Sequence, residues 1–240
     1  ISCQEDTIKS VVLSDHYRLD KEIILLLVFA VFLIAFAGKN GIQAVLSFGI
    51  TVLVIWKILV PCYLKGYSPV WTGILITVIL TVMIIFFVYG ADIRTVTASA
   101  GSLLGVAVTC VLGILFTDLF RIHGAVMPNA ESLLYSGYQD LDLTSIFMSS
   151  IFIGASGAMM DLAVDITSAV WEVVEKKPDI SAKEAMLSGI RVGRAAMGTM
   201  TTTLLLAYSG GYIALLMVFM AQGTPVDHIL NYKYNSSKII

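Results

Sequence analysis

Asp161, Asp165, Ser168 and Glu172 sit four, three and four residues apart in a segment that is otherwise apolar or small. On a helix those spacings place all four on one stripe. Carboxylates in an apolar helix bind cations, relay protons or pair with basic groups, because an unpaired charge in hydrocarbon is costly. Leu162, Val164, Ile166 and Val170 fall opposite the stripe. Just upstream, Gly154, Ala155, Gly157 and Ala158 are small enough to let another helix or a ligand come close.

A second group of polar residues follows. Arg191 and Arg194 precede Thr199, Thr201, Thr202 and Thr203. Two readings of the charges stand open. One is a structural Asp–Arg network that fixes helix register. The other is a cation or proton site of Asp161 and Asp165, gated by Arg194 and lined by Ser168, Thr199 and Thr203. The hydroxyls either line a pathway or bond back to their own helix carbonyls. Depth bears on the choice. Asp142 is a plausible N-cap for the segment carrying Asp161. The helix from Asp142 to Asp161 is about 28 Å long, against a hydrocarbon core of about 30 Å. Asp161 is therefore expected near the cytoplasmic edge, and Asp165 just beyond it.

The elements that must position these residues are membrane helices. Of 240 residues, 58% are hydrophobic and 13% charged, more apolar surface than a soluble exterior can hide. The expectation is all-α: a polytopic transmembrane helix bundle with about six visible spans. These are residues 23–37, 41–64, 69–89, 98–120, a span beginning near Asp142, and 193–221. Ser209, Gly210 and Gly211 are expected to interrupt the last one as a kink or re-entrant turn. Gly101 and Gly105 give a spacing that lets two helices approach closely. Trp56, Tyr63, Tyr67 and Trp71 cluster around one connection, as an interfacial aromatic belt does.

Residues 1–20 are polar and read as the tail of an extracytoplasmic domain. Residues 21–223 form the helical domain, and 224–240 a polar C-terminal segment that reads as truncated. The connection 172–194 holds Lys176, Lys177, Lys183, Arg191 and Arg194. The positive-inside rule places it in the cytoplasm, with Lys39 and Arg94 on the same side and both termini outside. Ser181 and Glu184 after Pro178 form a capping-box pattern that opens a short helix.

Other functions lack a signature. A net charge of −2 gives no basic stripe for nucleic acid. His16, His123 and His228 are scattered, and no nucleophile, zinc or phosphate motif is present, so neither enzyme nor cofactor is expected. Cys3, Cys62 and Cys110 have no metal or redox spacing, although alternation permits a Cys3–Cys62 disulfide.

The two polar segments resemble the YibE/F-like family of multi-pass bacterial membrane proteins. The resemblance is carried by the run 154–163 with Asp161, continuing to Ser168 and Glu172. It extends over 188–194 with Arg194, 197–200, 204–210, and Gly66 to Pro69 upstream. It covers roughly residues 17–223. It implies a cell-membrane protein, mostly of Gram-positive bacteria, often encoded beside a paralogue, and it supplies no substrate. Longer members carry an extracytoplasmic domain before the helices and a further hydrophobic segment after the position of Gly223. Members usually have Asp directly after the equivalent of Arg194, where this chain has Ala195. Two functions are carried forward. The first is a transporter or channel-like permease for a small solute or ion. The second is a non-transporting membrane subunit that packs with a paralogous partner, or as a homo-oligomer, through Gly101, Gly105, Gly154 and Gly157.

Overall fold

The computed structural model describes residues 2–4, 7–10, 18–124 and 130–223. The segment 224–240, with His228, lies outside the described residues, as does His16. The chain divides into two units, Ile1–Gly49 and Ile50–Ile240.

In the first unit, β1 (Ser2–Gln4) and β2 (Thr7–Ser10) pair antiparallel. Helix α1 (Leu19–Ala37) follows, with Asp20 and Glu22 in its first turn and a continuous apolar body. Gly38 ends it with φ 56°, a left-handed conformation that costs glycine little. Three residues on, in α2 (Lys39–Val54), a Cβ at Gly41 would collide with the backbone of Leu33 and Ile34.

In the second unit the helix continues through a π turn, Ile55–Leu59, into α3 (Val60–Leu64). Pro69 opens α4 (Pro69–Tyr89) at a position where the missing N–H is no loss. Asp92 caps α5 (Ile93–Leu119), its carboxylate accepting from the Ile93 N–H at 2.6 Å. The Arg94 side chain binds the other carboxylate oxygen at 2.6 Å and holds Asp92 below its ordinary pKa of 3.8. A short α6 (Ala130–Tyr135) precedes Asp142, which caps α7 (Leu143–Lys176) through the Thr144 and Ser145 N–H groups. The Ser145 hydroxyl also donates to Asp142 and is the main reason its pKa lies below the ordinary value. Ser181 and Glu184 form the full capping box that opens α8 (Ala182–Ala221).

Helix α7 is the hub. Its contacts with α5 run antiparallel. Gly113 meets the Phe152 ring, Gly105 meets Met159, and Gly101 lies 4.0 Å from Ala163 when given a Cβ. Its contacts with α4 run parallel: Gly73 lies against Ser149 near the start, and Tyr89 reaches Val164 near the end. Ile85, Ala98 and Met160 form one buried cluster of these three helices, and Val106, Cys110 and Phe152 another. Helix α8 packs its Gly189 and Gly193 against Val170 and Ile166 of α7. Lipid is as apolar as these side chains, so close packing, rather than escape from water, holds the helices together.

The architecture is an all-α polytopic membrane bundle. Among the described residues, four helices are long and apolar enough to span: Lys39–Leu64, Pro69–Tyr89, Ile93–Leu119 and Leu143–Lys176. Helix α1 carries three charges, Asp20, Lys21 and Glu22, in its first turn, ahead of its apolar body.

Two expectations are corrected. Helix α8 is neither short nor broken: it runs through Ser209, Gly210 and Gly211 for 40 residues. The Ser209 hydroxyl donates to the Leu205 carbonyl at 2.7 Å, and the glycines' cost of about 1 kcal/mol each is absorbed by a long cooperative helix. The charged stretch 172–194 is mostly helix. At 34 and 40 residues, α7 and α8 are about 51 and 60 Å long, so both outrun a core of about 30 Å. Separately, Cys62 and Cys110 carry free thiols, and the side chain of Cys3 lies outside what is described.

Candidate functional site

Between α7 and α8 lies a cavity of about 400 Å³. Gly154, Gly157, Ala158 and Asp161 line it from α7; Thr199, Met200, Thr203 and Leu204 line it from α8. The sequence explains why space is left there. A Cβ placed on Gly154 or Gly157 meets nothing within 4 Å. One or two turns further on, the helices close over Ile166–Gly193 and Val170–Gly189. The hairpin is thus clamped at one end and open beside Asp161.

The depth of Asp161 follows from its neighbours. Helix α4 is 21 residues, about 31 Å, and so matches the hydrocarbon core. Its last residue, Tyr89, donates its hydroxyl proton to the Val164 carbonyl at 2.7 Å. The hydroxyl has a single proton, so Ser168 must donate to Tyr89 across their 2.6 Å contact. Val164 and Ser168 therefore stand at the level where α4 leaves the membrane. Asp161 sits nearly one helical turn, about 4.5 Å, toward the bilayer interior. Arg94 marks the same boundary, its guanidinium 5.5 Å from the Tyr89 ring and 5.0 Å from the Trp171 ring.

The residues expected to act together are only partly brought together. Gly154, Gly157, Asp161, Thr199 and Thr203 share the cavity. Ser168 belongs instead to the Tyr89 contact. Asp165 is exposed one turn beyond Asp161 and does not line the cavity, and neither does Arg194. The Asp–Arg pairing is not made among the described residues, where Arg94 pairs with Asp92 and Lys176 with Glu172. Asp165 and Arg194 are exposed on the long polar flanks of the two helices, where an ion pair gains little. Among the described residues nothing packs within 4 Å of a Cβ at Gly154 or Gly157, whereas Gly101 and Gly105 face α7.

The cavity's polar atoms are acceptors. The Thr199 hydroxyl donates to the Ala196 carbonyl at 2.9 Å, and Thr203 to the Thr199 carbonyl at 2.9 Å. Thr201 and Thr202 are spent in the same way on Met197 and Gly198. Asp161 receives no hydrogen bond from any described residue.

One group was not singled out from sequence. Thr77 and Thr81 of α4 and Ser99 and Ser102 of α5 are buried with hydroxyls that find no partner among the described residues. Their i, i+4 and i, i+3 spacings inside apolar spans were the available signal.

A family model described as YibE/F-like protein matches residues 25–240. The chain belongs to that family. It is therefore a multi-pass membrane protein of a bacterial family, and the match includes both walls of the cavity. No curated protein and no solved structure matches the chain.

Proposed function

We propose that this YibE/F-like protein is a transporter or channel-like permease for a small cationic solute or ion, with the α7–α8 cavity as its site of passage. The observation that carries the proposal is Asp161, a carboxylate with no partner among the described residues, lining a cavity of about 400 Å³ roughly one turn inside the membrane boundary. Such a carboxylate is expensive to keep unless it serves a solute or a proton. Asp165 and Arg194 lie just beyond the cavity and act at its entrance, while Thr199 and Thr203 line its wall. In this reading α1 and the later part of α8 complete six crossings. The shared end of α7 and α8, with Lys176, Lys177 and Lys183, is cytoplasmic by the positive-inside rule, and the termini are outside. The protein is not an enzyme.

The test is flux in proteoliposomes carrying Asp161→Asn. Flux is expected to be lost with membrane insertion and expression unchanged; undiminished flux would sink the proposal. A second reading is favoured by Gly154 and Gly157, whose open faces suit a helix of a paralogous partner or a second copy. A stoichiometric partner cross-linking to cysteine at Gly154, with no flux, would replace the permease reading with that one.

A further inference from the structure

We infer that the α7–α8 cavity binds a small organic ammonium cation, in preference to an anion or a bare metal ion. The inference deepens the proposed permease site and rests on that reading of the cavity. It stands on three observations.

The first is the one-sided hydrogen-bonding character of the wall. Asp161 offers a carboxylate that no described residue occupies. Thr199 and Thr203 have committed their hydroxyl protons to the carbonyls of Ala196 and Thr199, so each presents only lone pairs. Gly154, Gly157, Ala158, Met200 and Leu204 add no side-chain donor. Arg194, the nearby cation, does not line the cavity. A carboxylate or phosphate solute would meet acceptors and one negative charge. A primary ammonium, with its three N–H donors, meets the matching set.

The second observation argues against a bare metal ion. A calcium-like ion takes six to eight oxygens and a zinc-like ion about four ligands of His, Cys, Asp or Glu. Among the described residues no group of three or more such side chains is placed to hold a metal. One carboxylate and two hydroxyls are too few to replace a hydration shell.

The third is size and apolarity. About 400 Å³ lies at the small end of organic-ligand sites and far exceeds what a bare ion fills. The two glycines keep the α7 wall flat, and Met200 and Leu204 give the α8 wall an apolar surface for an alkyl body. The arrangement is a charged end and an apolar body within one site, the shape of an alkylamine.

The experiment uses the full chain in lipid nanodiscs, with thermal shift and calorimetric titration against n-propylammonium, propionate, 1-propanol, sodium and magnesium. Saturable stabilisation by n-propylammonium, with little from propionate or 1-propanol, is expected. Asp161→Asn is expected to weaken n-propylammonium binding about tenfold or more. Gly157→Leu tests the cavity separately: its Cβ meets nothing within 4 Å, and the rest of the side chain takes up cavity space. That variant is expected to lose binding with its melting temperature intact. Propionate binding as well as n-propylammonium, or Asp161→Asn and Gly157→Leu both binding like the unmodified chain, would overturn the inference. Sodium or proton flux that depends on Asp161 without any amine binding would also overturn it, while leaving the permease reading in place. Saturable amine binding without flux of any solute would support the inference and remove the permease reading.

Discussion

Gly73→Ala and Gly154→Ala are the same chemical change in two membrane helices, and the packing predicts opposite outcomes. Replacing glycine by alanine in a helix interior gains about 0.5–1 kcal/mol of propensity. At Gly154 nothing lies within 4 Å of the new methyl, so the gain is kept. At Gly73 the methyl would overlap the Ser149 hydroxyl and lie 2.9 Å from the Ser149 Cβ and 3.0 Å from the Tyr63 hydroxyl. It would also part the Tyr63–Ser149 hydrogen bond, which ties α3 to α7. Losing that bond costs about 1 kcal/mol, and overpacking a fully buried site about 1–3 kcal/mol. The net is destabilisation by about 1–3 kcal/mol for Gly73→Ala, against a gain below about 1 kcal/mol for Gly154→Ala. Denaturant titration in detergent, followed by the fluorescence of Trp56, Trp71 and Trp171, reads the difference. Gly73→Ala as stable as Gly154→Ala would refute the parallel α4–α7 packing on which the depth of Asp161 rests.

Three further outcomes are expected. Thr81→Val keeps the shape of a fully buried side chain while removing a hydroxyl that has no partner among the described residues, so it should stabilise the protein by about 1 kcal/mol; a loss of that size would show that the hydroxyl is satisfied. Tyr89→Phe removes both the Val164 and the Ser168 contacts and should cost about 1–2 kcal/mol, with Ser168→Ala costing less; equal stability of Tyr89→Phe and the unmodified protein would contradict the boundary assignment. The Asp142 pKa is lowered from 3.8, so the capping contribution is complete above that pH and is lost as pH falls through the lower, folded value. Unfolding measured from about pH 5 downward should show this loss and show less of it in Asp142→Asn, which keeps a capping side chain without a titrating group. An identical acid dependence in the two proteins would remove Asp142 from the account.

What the sequence makes legible here is local. Pro69 at a helix start, Asp142 and Ser181 as caps, and the end of α4 at Tyr89 are set by residues within a turn of each boundary. The stripe from Asp161 to Glu172 is likewise a matter of spacing along one helix. The features that differ are decided at a distance or by competition. Gly210 and Gly211 carry a break signal, but a helix of 40 residues outweighs it. Asp161, Asp165 and Arg194 look like partners in sequence because both segments reach the same level. Yet the side chains that meet between α7 and α8 are Ile166, Val170, Gly189 and Gly193, while Asp161 opens onto the cavity and Asp165 and Arg194 do not line it. The Tyr89–Ser168 contact spans 79 residues and has no local signature.

The central claim is that the cavity beside Asp161 is a water-accessible site for cations. Cysteine at Gly157, with Cys3, Cys62 and Cys110 replaced by serine, places a thiol on the cavity wall where a side chain meets no obstruction. The measurement is the rate at which this thiol reacts with positively and negatively charged methanethiosulfonate reagents, with Asp161 present and with Asp161→Asn. The account predicts reaction with the cationic reagent and a cation-over-anion preference that falls severalfold when the carboxylate is removed. A thiol that reacts with neither reagent, or a preference that ignores Asp161, would contradict it.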